Sequence, residues 1–571
     1  RRIRFRGPKA LHVRGSASLV GSRSCRDAGV FHMRRTIALL VLAALSVAGG
    51  GAASRTQTAP LSSATFVITG HGWGHGVGMP QWGAYGYAQH GWLAPRILAH
   101  YYPTTTLGPA PLARVRVLLQ AGATTVSLSS GVPFTVKDAS GTTYPLDPGA
   151  VTLGTALKVK VDPAKPPKAL PGPLVFSPGG QPLKLDRRYR GSLQVSVVGG
   201  KLQVVNTVGL EAYLYGVVPS EMPHTWAAEA LKCQAIVARS YALAVRKSGG
   251  SYDLYADTRS QVYRGVDGEQ PEASAAVDAT AGQVVLYQGK VATTYFYSSS
   301  GGRTAAIQDV WPTSKPVPYL VSVADPYDTI SPHHDWGPYR FTAATLARKL
   351  KVPGKLVDIQ ATLNGSGRAT SLTATGTIGE VTVSAGDVRR LLGLRSTWFS
   401  LGVLGLSAPK GPAVAYGARA RLDGVVRGFT PVVLESRVGS AAWSQLGALT
   451  PSPEGVVSTV VKPLQATQYR LSSGKIFSSP VTVRVAPLVK LAAATDQTSL
   501  RGSVKPAVEG ARVDVQRQTG TVWKTVAHTG LNADGTFQAT LTLSPGTYRA
   551  RVGPSHGLVA GSSAPLRVVT A

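Results

Sequence analysis

Cysteine is almost missing from this chain: two in 571 residues, Cys25 and Cys233. A disulfide framework is therefore excluded. Cys233 falls mid-helix among Ala and Ile, which reads as a buried structural thiol and not a nucleophile. Acidic residues are scarce too, 28 Asp and Glu against 60 Lys and Arg, for a formal net charge of +32. Charged residues make up only 15% and hydrophobic ones 43%. That balance excludes a disordered polyelectrolyte and suits folded, β-rich material. Long apolar runs are lacking as well, since Ile37–Val47 is too short for a secure membrane span.

What is present begins with an export signal. Met33-Arg34-Arg35, the apolar stretch behind it and the small residues Gly49–Ser54 read as a signal peptide over 33–54. The Arg-rich, aperiodic residues 1–32 read as a leader from a start placed too far upstream. Beyond residue 54 the chain holds 50 Lys and Arg against 27 Asp and Glu. Such a chain is drawn to polyanions, and export points to anionic wall polymers. No interleaved aromatic and basic reader motif appears, so nucleic acid is not expected as a partner.

Length predicts about three or four domains. Residues 66–407 mix short alternating strands with helical stretches, one in 84–88, a longer one in 209–247 and a short one before Thr397. Residues 412–486 and 489–570 read as two diverged copies of one unit. Each has a Trp (Trp443, Trp523), alternating strands and a late aromatic strand (Tyr469, Tyr548). The expected fold class is a β-rich α+β catalytic domain followed by two all-β immunoglobulin-like sandwich domains. Neither copy shows a catalytic cluster, so both read as spacers or wall-binding modules.

The segment Gly216–Met222, GVVPSEM, presents Glu221 between Pro219 and Pro223. Its neighbours predict a rigid turn, and catalytic groups concentrate on such loops. Glu229 has a structural reading, an acid in the first turn of a helix over 226–246 with Thr225 as N-cap. Glu211 likewise suits a helix start. For Glu221 the residues alone leave catalysis and a plain turn both open.

Four separated stretches then carry a resemblance: GHGWGHGVGMPQWGA (70–84), VNTVGLEAYLYGVVPSEMPHTWAAEALKCQAIVARSYAL, DTRSQVYRG (257–265) and YSSSGGRT (297–304). Together they are similar to the family of stage II sporulation protein D and the amidase enhancer LytB. The resemblance implies a lytic transglycosylase acting on peptidoglycan glycan strands that lack stem peptides. It puts the catalytic carboxyl at Glu221 and a substrate-side arginine at Arg239. Ser260, Gln261 and Tyr263 offer hydroxyl, amide and aromatic faces for sugar, and Ser300 lies in a loop that would line the groove. A hydrogen-bonded turn accounts equally well for the first three, and a solvated helix arginine for Arg239.

Some relatives bind zinc with Cys and His around that loop. This chain has Tyr297, Ser298, Ser299, Ser300 and Arg303 there, so no metal and no cofactor is expected. The adjacent His333 and His334 read as a surface loop. In GHGWGHG the glycines argue against a helix that would pair His71 and His75 as metal ligands. His71, His75, Gln81 and Trp82 read instead as a groove wall, with a purely structural motif as the alternative. Many relatives carry this motif after the catalytic region, and here it comes first. That order predicts a permuted arrangement with 66–107 closing onto the same domain. The expected product is a 1,6-anhydro-N-acetylmuramic acid end, and the expected location is secreted, wall-associated or held by an uncleaved signal. The rival reading is a non-catalytic, peptidoglycan-binding enhancer of a cell-wall amidase.

Overall fold

A computed structural model describes residues 64–247, 249–494 and 498–569. The leader and signal peptide expected over 1–54 lie outside these residues. Among the described residues, no helix is long and apolar enough to cross a membrane.

The first strand, Thr65–His71, is central and not an edge. It pairs antiparallel with Asp335–Thr342 on one side and with Phe399–Ser407 on the other. Buried Phe66 and Ile68 face a core built with Trp336, Leu346, Leu372 and Val403. The expected closure of the N-terminal segment thus takes the form of strand insertion. After it, Gly72, Gly74, Gly76 and Gly78 all adopt positive φ. At Gly72 a Cβ would stand 2.6 Å from two backbone carbonyl oxygens, so the close approach demands glycine.

Helices α1 (Gln81–Gln89) and α2 (Ala94–Tyr101) follow. A seven-stranded sheet then carries Arg114–Ala123 beside Lys201–Gly209, with Ser192–Val198 next. Its last long strand runs straight into α3 (Leu210–Glu221), and α4 (Ala228–Val245) packs against it. Helix α5 (Pro271–Asp278) touches both. Ala230, Ala235, Ala238 and Ala242 are fully buried, and these small side chains let α4 accept neighbours on several sides. Cys233 lies buried in the same helix.

Local capping departs from the expected pattern. The N-cap of α4 is Ala227, not Thr225. Glu229 keeps its first-turn position, but it also accepts a hydrogen bond from the Ala94 N–H at 2.7 Å. One acid therefore answers an orphan N–H at the start of α2 from the start of another helix.

The boundary expected near 408–412 is no break in the sheet. Phe399–Ser407 pairs with Ala420–Arg427, which pairs with Val456–Val461, so one five-stranded sheet runs through it. A second sheet, Val432–Val438 with Ser444–Leu449 and Thr467–Ser473, closes a core around Leu404, Leu422, Leu434 and Leu471. The last unit is again two sheets, with Val489, Val504, Val513 and Phe537 between them. Tyr469 and Tyr548 are core residues. Trp443 and Trp523 are not. Both are half-exposed and lie under arginines, Arg470 at 4.1 Å from the Trp443 ring and Arg549 at 4.3 Å from the Trp523 ring.

Candidate functional site

Glu221 is the last residue of α3 and not part of a Pro-bounded turn. Pro219 sits inside the helix, where its lost N–H costs one bond near the end. The N–H of Met222 donates to Val218 and closes the final turn. This termination aims the Glu221 side chain at the segment 257–265.

The Val262 N–H donates to Glu221 Oε1 at 3.1 Å. Burial pushes the Glu221 carboxyl above its ordinary pKa, while the Val262 N–H and the charge of Arg264 act in the opposite direction. Desolvation prevails because, among the described residues, no cation forms an ion pair with it. The Tyr213 and Tyr241 hydroxyls are close enough to feel its charge.

Sequence reasoning placed Gln261 and Tyr263 against sugar, and the structure puts both indoors. Gln261 is 1% exposed, accepting from the Tyr213 hydroxyl at 3.2 Å and donating to the Ala238 carbonyl. Tyr263 is 2% exposed and donates to Asn206 Oδ1 at 3.0 Å. Two buried anchors therefore flank Val262 and fix its N–H on the carboxylate. Ser260 is half-buried, with Oγ accepting from the Tyr255 N–H. Buried Ser300 accepts from Gly302 and donates its N–H to Asp328, so it too is no groove residue.

Arg239 is fully buried, which fits neither a sugar contact nor a solvated arginine. Its fork grips both oxygens of Glu211 at the other end of α3. Two further N–H groups donate to the Gln283 and Val277 carbonyls. Glu211 also accepts from the Gly282 N–H. This bidentate, nearly saturated pair ties α3, α4, α5 and the strand Gln283–Tyr287 together. Its bearing on Glu221 is positional.

The glycine-rich segment does reach the site. Gln81 donates to the Glu221 carbonyl at 2.9 Å and faces Gln234 Oε1 at 3.4 Å. Next to it, half-exposed Trp82 packs its ring 4.6 Å from that of Trp226, five residues beyond Glu221. Tyr85 stacks on the other partner, 4.5 Å from Trp226 and 11° from parallel. Three half-exposed rings therefore cluster where α1 meets the chain just beyond Glu221. Trp226 and Tyr85 escaped the sequence reading, although Trp82 and Tyr85 sit at the i, i+3 spacing that shares a helix face.

His71 and His75 stay apart from this group. His71 Nδ1 meets Asp335 at 2.6 Å, and its ring lies against Trp398. His75 is internal: Nδ1 accepts from the Val77 N–H and Nε2 donates to the Phe296 carbonyl at 3.1 Å. Burial lowers its pKa to about 4, so at neutral pH it is an uncharged loop staple. The loop 298–304 wraps a buried carboxylate, Asp328, which accepts from Ser299, Ser300, Gly301 and His334. Beside it, burial and the Asp328 charge raise Asp325 to about 7. Among the described residues, no cluster of three or more His, Cys, Asp or Glu is placed to hold a metal ion.

Comparison with known proteins falls on this same part of the chain. Residues 198–287 match the family described as Stage II sporulation protein, SpoIID. The chain is 32% identical over 222 residues to Stage II sporulation protein D of Bacillus subtilis (strain 168), covering 34% of this chain and 61% of that one. It is 40% identical over 115 residues to an Amidase enhancer of the same organism, 20% of this chain and 15% of that protein. An uncharacterized protein of Brachyspira hyodysenteriae is 39% identical over 138 residues, 24% and 37% of the two chains. The chain thus spans from 15% to 61% of the length of these relatives.

Proposed function

We propose, from the match of residues 198–287 to the Stage II sporulation protein family and the likeness to Stage II sporulation protein D and an Amidase enhancer, that the protein is an exported peptidoglycan lytic transglycosylase. Its substrate is the denuded glycan strand. The observation that carries this reading is the Glu221 carboxyl, protonation-prone through burial, met by the Val262 N–H and free of an ion pair among the described residues, at the end of a helix whose exit carries the ring cluster of Trp82, Tyr85 and Trp226. An acid of raised pKa is what general acid catalysis needs. Half-exposed aromatic faces suit the apolar faces of sugar rings.

The chemistry needs one carboxyl group. Glu221 protonates the oxygen between N-acetylmuramic acid and N-acetylglucosamine as its bond to C1 breaks. The resulting carboxylate takes the proton of the muramic acid 6-hydroxyl while O6 bonds to C1. A 1,6-anhydro end forms, no water is consumed, and the enzyme returns to its acid form. The nucleophile is intramolecular, so the second carboxylate of a hydrolase is unnecessary. Gln81 holds the backbone of Glu221, Val262 orients its carboxylate, and Arg239 fixes the helix behind it. The two C-terminal β units, read as immunoglobulin-like modules, and the excess of basic residues would keep the enzyme against anionic wall polymers.

The test is mass spectrometry of denuded glycan strands incubated with wild type and with Glu221→Gln. Anhydro-ended fragments from wild type alone are expected. Strand binding without cleavage by either protein overturns the enzyme reading in favour of an amidase-enhancing protein, which the likeness to the Amidase enhancer would then explain.

A further inference from the structure

Beneath the glycine-rich loop lies a charged group that the reaction does not use. Arg368 is 2% exposed, and its guanidinium fills the space that a side chain on Gly76 would need, Cζ lying 2.7 Å from the ideal Cβ position. Its Nη2 donates to the Arg303 carbonyl at 3.3 Å, and the Trp398 ring is 5.2 Å from Cζ. Its Nε–H has no hydrogen-bond partner among the described residues. Tyr297 packs under the same loop, 2.7 Å from the Cβ position of Gly74, and its buried hydroxyl is likewise without a partner there. The two groups are near enough that the arginine charge acts on the phenol.

Compensating charge is short. Arg389, on the helix Ala385–Leu392, adds a second guanidinium within electrostatic range of Arg368. His75 faces both and is held neutral by burial. The carboxylate acting on Arg368 is Asp309, whose Oδ2 already takes the Ser366 hydroxyl. Among the described residues, neither arginine forms an ion pair with it or with any other acid. Asp325 and Asp328 act on Tyr297: Asp328 is held by Ser299, His334 and backbone N–H groups, while Asp325 takes the Tyr101 hydroxyl on Oδ1, keeps an unpartnered Oδ2 among the described residues, and is pushed towards its uncharged form by burial and the Asp328 charge. A buried guanidinium without a counterion is strongly unfavourable. Water would accept from both orphan donors yet bring no charge, whereas an anion answers both demands. Burial excludes a polymer.

We propose that Arg368 Nε and Tyr297 Oη bind a small monovalent anion, of halide or formate size, beneath the Gly72–Gly76 loop. Such an ion ties the loop to the strand Ala369–Gly376. It thereby steadies the segment that delivers Gln81 and Trp82, whatever chemistry Glu221 performs.

Thermal unfolding in sodium chloride, bromide or formate is compared with sodium gluconate at equal ionic strength. Small anions are expected to raise the wild-type Tm by about 2 °C or more over gluconate. Tyr297→Phe and Arg368→Met are expected to lose that increment. Bromide-grown crystals should show anomalous scattering in contact with both atoms. Should Arg368→Met not fold, the Tyr297→Phe series and the bromide crystals still decide. Equal Tm in all four salts, or no bromide at that point, overturns the proposal.

Discussion

Helix α3 carries an acid near each end, and the two ends could hardly differ more. Glu211 meets a buried guanidinium, two carboxylate oxygens against the fork of Arg239, with the Gly282 N–H added. Glu221 meets one backbone N–H, with the Tyr213 and Tyr241 hydroxyls within range of its charge. The first is a clamp built on a bidentate ion pair. The second is desolvated without a counterion and is inclined to keep its proton. One helix thus separates rigidity from reactivity, with the anchored end making the reactive end reproducible.

Four changes would break or sharpen that contrast. Glu221→Gln is expected to lower the cleavage rate by about 10³–10⁴-fold, the scale of general acid–base catalysis. The same change should raise Tm slightly at neutral pH. An acid whose folded pKa is raised loses stability as pH climbs past its unfolded value, and an amide escapes that loss. A lower Tm for the variant would contradict the desolvated environment.

Arg239→Met is expected to cost about 3–5 kcal/mol of stability, because it strands Glu211 at a partly buried position. Denaturant unfolding measures this, and a cost under about 1 kcal/mol would deny the clamp. Trp82→Ala should weaken strand binding by roughly 3–10-fold, the scale of one aromatic contact, and show in KM more than in kcat. The smallest effect concerns exposed Arg264, whose charge favours the ionised Glu221. Its removal by Arg264→Met should shift the alkaline limb of the cleavage profile upward by a few tenths of a pH unit, since screening weakens exposed charges. A downward shift would reverse the sign of the argument.

Asp325 adds a comparison outside the helix. With its pKa raised to about 7, it binds more protons folded than unfolded between about pH 4 and 7. It therefore removes stability as pH rises through that window. Asp325→Asn should flatten the fall in Tm between pH 5 and 8 relative to wild type.

How much of this was legible beforehand follows from which information is local. The burial of Cys233 is legible from the apolar helix that holds it, whereas the residues around Glu221 leave its role open and only the resemblance singles it out. The surroundings of Glu221 are not readable in sequence, because only Tyr213 shares its helix while Gln81, Tyr241 and Val262 come from three other segments. Gln261 and Tyr263 were misjudged for a related reason. Polar and aromatic side chains look the same in sequence whether they face a ligand or satisfy buried partners such as Ala238 and Asn206. The place of Arg239 is not local information either, because its partner Glu211 lies on another helix.

The strand Thr65–His71 has one more consequence, for the order in which the protein can be made. Its backbone partners stand late in the chain, and the His71 carbonyl receives the Ser396 hydroxyl across 325 residues. A nascent chain holding Glu221 and α4 still lacks both neighbours of the strand that leads to Gln81 and Trp82. Contacts so distant close late and slowly. The carboxyl would therefore be synthesised well before its surroundings, and the finished site would appear only when residue 407 has joined the sheet.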